Sequence, residues 1–124
     1  MKTLLLDVNN DEIRVENLND EDPLADMRKL IGCEWIEAVP IKLGENGHYI
    51  VCCDEEGRFK DNYVSAMNKL NGAVFVGNII LCNIIDLEDG AKDLGSLLDK
   101  DVEYIKKYIV KFLNYKKCLI ECYI

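Results

Sequence analysis

A chain of 124 residues that is 49% hydrophobic and 31% charged can close one core and is too short for two, so a single domain over 1–124 is expected. Its net charge of −8 argues against general duplex-DNA binding, which rests on neutralising phosphates with many cations. The longest uncharged stretch, Leu70 to Ile85, is interrupted by Asn71, Gly72, Gly77, Asn78 and Asn83 and is too short to cross a bilayer.

The start, MKTLLLDVNND, falls short of a secretory apolar region, and a cytoplasmic location is expected. Six cysteines, Cys33, Cys52, Cys53, Cys82, Cys118 and Cys122, sit mostly in apolar runs with no C-x-x-C pair and a single His48. They read as buried thiols of a reducing compartment, with no metal and no cofactor expected. Cys52 and Cys53 are neighbours on a strand and point to opposite faces.

In chain order, Thr3 to Val8 and Glu12 to Glu16 read as a hairpin around the polar turn Asn9, Asn10 and Asp11. Asp22 then precedes Pro23, with apolar residues at Leu24, Met27, Leu30 and Ile31 and a stop at Gly32. This is a helix with an aspartate cap and proline in its first turn. WIEAVPI, with the edge-type Pro40 near its end, and HYIVCCD form a second hairpin across Gly44 to Gly47. Val64 to Leu70 reads as a short helix, and AVFVGNIILCNIID as a long buried strand or strand pair with a bulge or turn at Gly77-Asn78. After a polar connection with Ser96 as a cap, Val102, Ile105, Ile109 and Phe112 recur at helical spacing, which predicts an amphipathic helix over Val102 to Leu113. Cys118 to Ile124, CLIECYI, is apolar enough to be a last strand or an interface, and a homodimer or higher homo-oligomer is expected from it. The fold class that results is α+β: a mainly antiparallel sheet with two principal helices packed on it.

The succession of Val39-Pro40, Glu55-Glu56-Gly57-Arg58, Asn62, the apolar run from Gly72 to Gly77, and Ser96-Leu97 resembles the small-protein family filed as domain of unknown function 3846. The resemblance covers roughly residues 3 to 112, and the chain departs from the family's pattern after Lys60, where Asp61, Asn62 and Tyr63 follow. It implies a phage or mobile-element setting, in which small accessory proteins often oppose host defence. It implies no activity.

No serine or cysteine stands in a nucleophile motif, the carboxylates of Glu55 and Glu56 diverge on an extended chain, and no phosphate-binding glycine loop is present, so no enzyme is expected. Two binding readings remain. In the first, the protein sequesters a small anionic, nucleotide-like signal. Arg58, Lys60, Asn62 and Tyr63 after the second hairpin, with Trp35, Tyr104, Lys107 and Lys111, supply the cations and aromatic faces it needs. In the second, acids gathered in the first half of the chain (Asp7, Asp11, Glu12, Glu16, Asp20, Glu21, Asp22, Asp26) form a negative surface that occupies a basic groove on a host protein, as DNA mimics do. An ordinary turn, a core tryptophan and a solvated helix are the plain alternatives to the first reading. A capping role for Asp20 to Asp22 is the plain alternative to the second.

Overall fold

The computed structural model describes residues 1–8, 10, 12–57, 64–68 and 74–111. Strand β1 (Lys2–Asp7) pairs in antiparallel register with β2 (Glu12–Asn17), Lys2 opposite Asn17 and Asp7 opposite Glu12, as the alternating β-rich segments predict. Arg14 of β2 secures the hairpin end. Its Nε donates to Glu16 at 2.7 Å and its Nη1 to Asp7 at 2.9 Å and Glu12 at 3.2 Å. Asp7 is only 6% exposed and also accepts the Asn10 N–H and Nδ2–H, so a nearly buried carboxylate is paired and hydrogen-bonded rather than stranded.

Helix α1 (Pro23–Ile31) begins and ends where the sequence places it. The Asp22 side chain accepts the Ala25 N–H, Pro23 occupies the first turn, and Gly32 stops the helix at φ 79° and ψ 44° with its N–H on the Arg28 carbonyl. That left-handed geometry is the reason the stop is glycine. Strands β3 (Ile36–Leu43) and β4 (Gly47–Asp54) form the second hairpin, with Leu43 opposite Gly47 and Ile36 opposite Asp54.

The principal sheet has the order β2-β1-β7-β4-β3, all antiparallel, with β7 (Ile79–Asp86) at its centre between β1 and β4. Strand β8 (Lys92–Gly95) pairs with the far half of β7. Because Asn83 faces both Tyr49 of β4 and Gly95 of β8, β8 takes the edge of β7 that β1 has left. Pro40 lies on the outermost strand, where a missing ladder donor costs nothing and discourages edge pairing.

Both faces of the central strands are covered, which is why β1, β4 and β7 are nearly continuous apolar runs. On one face Leu4, Leu6, Tyr49, Val51, Ile79 and Leu81 pack with Leu97, Val102 and Ile105 of the α2 region; on the other, Leu5, Ile50, Cys52, Ile80 and Cys82 pack with Met27 of α1. Helix α2 spans Asp99–Tyr108. Its start is secured by Asp101, whose carboxylate accepts the Leu98 N–H at 2.8 Å, and not by Ser96, whose hydroxyl accepts the Lys2 N–H.

Two further sequence expectations are corrected, and one open alternative is decided in favour of two strands. Val64–Asn68 is a strand, β5, not a helix; it pairs with β6 (Val74–Val76) and β9 (Ile109–Lys111) in a separate three-stranded sheet. The run AVFVGNIILCNIID is therefore divided between two sheets at Gly77, which has φ 71°. The second helix ends at Tyr108, and the chain turns extended at Ile109, because Ile109 to Lys111 find backbone partners on β5. Residues 112–124, with the apolar CLIECYI, lie outside the described residues. No helix among the described residues is long and apolar enough to cross a membrane.

Candidate functional site

Trp35 stands just before β3 and is 62% exposed, which sets aside its reading as a core tryptophan. Its carbonyl accepts the Glu55 N–H at 3.0 Å, so the residue is anchored by its backbone while the indole projects. Beside it the Arg28 Nε donates to the Glu34 carbonyl at 3.2 Å, which ties the side chain to the segment that carries the tryptophan. Arg28 stands one helical turn after Leu24, so both lie on one flank of α1, next to the stripe that buries Met27.

Between that flank and the sheet runs a cleft of about 380 Å³. Ile36, Ala38, Ile50 and Cys52 form its floor, Leu24 and Leu94 its apolar walls, and Arg28, Trp35 and Lys92 its polar and aromatic rim. Glu34 and Asp93 also line it. Its size lies within the range of small-molecule sites, and its composition fits them: an apolar bed with a few polar groups. Trp35 and Arg28 also line a hollow on the other side, with Cys33, Asp54 and Glu56, so the indole is a partition between two concave surfaces. Lys92 is paired with Asp86 in an exposed ion pair, which leaves Arg28 as the cation that the fold holds in place beside the ring.

The expected site residues separate. Arg58, Lys60, Asn62 and Tyr63 lie outside the described residues; the described chain leads to them from Gly57, two residues after Glu55. Tyr104 is on the opposite face of the sheet from Trp35, so the two aromatic rings do not form one pocket. Its hydroxyl donates to the Leu43 carbonyl at 2.8 Å and accepts the Asn46 N–H at 3.4 Å, and its ring lies 6.3 Å from that of Tyr49 at a tilt of 46°. Tyr104 is thus a strut between α2 and the β3-β4 turn. Lys107 is exposed on the same helix, and the backbone of Lys111 belongs to β9, opposite Ala66. Sequence reasoning missed Arg28, Leu24, Leu94 and Lys92. The i, i+4 spacing of Leu24 and Arg28 was readable, whereas β8 reaches the cleft only through its pairing with β7.

The expected acidic surface is partly consumed by structure. Asp7, Glu12 and Glu16 share Arg14, Asp20 pairs with the N-terminal ammonium at 2.5 Å, Asp22 caps α1, and Asp26 accepts the Asn19 N–H at 2.7 Å. Asp11 lies outside the described residues.

The thiols of Cys52 and Cys82 are both fully buried on the α1 face, diagonal to one another on β4 and β7. A hydrogen bond between them draws the Cys52 thiol below its ordinary range, and that bond together with burial pushes Cys82 far above it. Burial, then the hydrogen bond from its hydroxyl to Asp101 at 3.0 Å, hold the Tyr49 phenol well above its ordinary value. Among the described residues no group of three or more histidine, cysteine or acidic side chains is placed to hold a metal ion.

The sequence model of the family described as domain of unknown function DUF3846 matches residues 1–110. The chain belongs to that family. The match spans the whole principal sheet and both helices, so the α1 cleft and Trp35 lie within the family's domain. No curated protein and no solved structure matches the chain.

Proposed function

We propose that the protein is a non-catalytic binding module that holds a small, planar, nucleotide-like anion in the α1 cleft, with sequestration of such a signal in a counter-defence role. The observation that carries the reading is the exposed Trp35 beside the tethered Arg28 over an apolar floor. Leaving a tryptophan 62% exposed forgoes burial of one of the largest apolar side chains, and a ring that stacks on the indole recovers it. Arg28 supplies a planar, permanently charged donor for an anionic group. Among the described residues that line the cleft, the one thiol, Cys52, has no exposed surface and so is not presented to a ligand as a nucleophile.

The chain contains one tryptophan, so indole fluorescence reports this cleft directly. Titration with cyclic and linear nucleotides is expected to quench it saturably, and native mass spectrometry of protein taken from cells is expected to retain the ligand. Arg28→Ala should weaken binding by about 1.5–3 kcal/mol, the worth of a charged hydrogen bond. Trp35→Ala, followed by calorimetry, should cost about 1–3 kcal/mol of stacking. Absence of quenching by any nucleotide, with no small molecule retained, would overturn the proposal and favour the acidic, protein-directed reading.

A further inference from the structure

We infer that the cleft selects a ring carried on a hydroxyl-bearing chain with no more than one anionic group, the nucleoside and nucleoside-monophosphate class, and discriminates against polyphosphates; this rests on the binding reading above. Leu24, Asp93 and Leu94 form the common border of the cleft and a second hollow of about 540 Å³. Within the cleft two cations and two acids balance. The adjoining hollow is different: Asp20, Glu21, Asp22 and Asp93 face the single ammonium of Met1, which is already paired with Asp20.

A ligand with its ring on Trp35 has two directions in which to extend. Toward Arg28 it meets one fixed guanidinium, enough to compensate one anionic group. Lys92, the other cation of the cleft, is engaged by Asp86. Toward the border it meets Asp93, whose carboxylate is oriented by the Leu94 N–H at 2.7 Å, and beyond it Glu21. Carboxylates only accept hydrogen bonds, so this end is matched by hydroxyl or amine donors and repels phosphate. The charge pattern therefore reads a ligand from anion through ring to donors, and among the described residues lining the cleft an added phosphate meets only Lys92, already paired with Asp86.

Trp35 fluorescence titrations with adenosine, AMP, ADP and ATP, and with the guanosine and cytidine series, test this at low ionic strength. The monophosphate of the preferred base is expected to bind most tightly, with affinity falling roughly three- to tenfold for each further phosphate. The double variant Glu21→Gln, Asp93→Asn keeps the oxygen acceptors and is expected to bring ATP nearer to AMP, with thermal melts confirming the fold. If it does not fold, the wild-type series decides alone. ATP binding as tightly as AMP, or more tightly, refutes the charge selection while leaving the binding reading intact; no quenching by any nucleoside or nucleotide removes both.

Discussion

Replacing Gly47 with alanine tests how α2 is fixed to the sheet. A Cβ at this position would lie 2.3 Å from Tyr104 Cε1, 3.0 Å from Tyr104 Cδ1 and 2.6 Å from the Leu43 carbonyl oxygen. Gly47 is not among the glycines with positive φ, so the cost is steric and not conformational. Two of these approaches are far inside any normal contact, and neither neighbour gives way easily. Leu43 is backbone in the β3-β4 ladder, and the Tyr104 ring is pinned by its hydroxyl on that same carbonyl. To admit the methyl, Tyr104 must swing away and lose its hydrogen bond, about 1 kcal/mol, or the turn must open with overpacking strain of about 1–3 kcal/mol. A destabilisation of about 1–3 kcal/mol is expected, which for a domain of this size lowers Tm by roughly 4–12 °C. Thermal and urea unfolding followed by circular dichroism measure it. In the Tyr104→Ala background the same change should cost at least about 1 kcal/mol less, because one of the two clashing partners is gone. A Tm within about 2 °C of wild type for Gly47→Ala alone would refute the packing described for this corner.

Tyr104→Phe keeps the ring and removes only the hydroxyl that serves Leu43 and Asn46; it should cost about 1–2 kcal/mol in urea unfolding and leave nucleotide titrations unchanged, the reverse of what Trp35→Ala should do. Asp7→Asn breaks the charge match with Arg14 at a nearly buried position and is expected to destabilise by about 1.5–3 kcal/mol, whereas Asp99→Asn, a fully exposed partner of Lys2, should leave the neutral-pH melt within error. The Tyr49 phenol has its folded pKa raised above the unfolded value near 10, so its contribution is complete below that pH and is lost as pH rises beyond it. Tyr49→Phe should therefore flatten the fall in Tm between pH 9 and roughly 11. Alkylation at pH 8 with mass mapping should leave Cys52 and Cys82 unmodified in the native protein and modify them in urea, since both thiols are fully buried; labelling of either at the rate of a free thiol would contradict the core described.

The sequence alone determined the elements whose signals are local. Asp22, Pro23 and Gly32 bound α1 because a cap, a preset φ and a left-handed residue act within one turn of the chain. The two hairpins follow from alternation around short polar turns, and Pro40 identified an edge because its missing donor is a property of the residue itself. What only the tertiary structure decided depends on partners distant in sequence. Val64–Asn68 has no strong periodicity and becomes a strand through Val110 and Val76, and Ile109 leaves the helical pattern because β5 offers it a ladder. Trp35 shows the same division at the candidate site. An indole flanked by acids carries no local signal for core or surface, and its place at the rim of a cleft depends on α1 and β8, which line that cleft and of which β8 is distant in sequence. Tyr104 and Trp35 both read in the sequence as aromatic faces for one site; the sheet runs between them, and a pocket forms only among side chains on one of its faces.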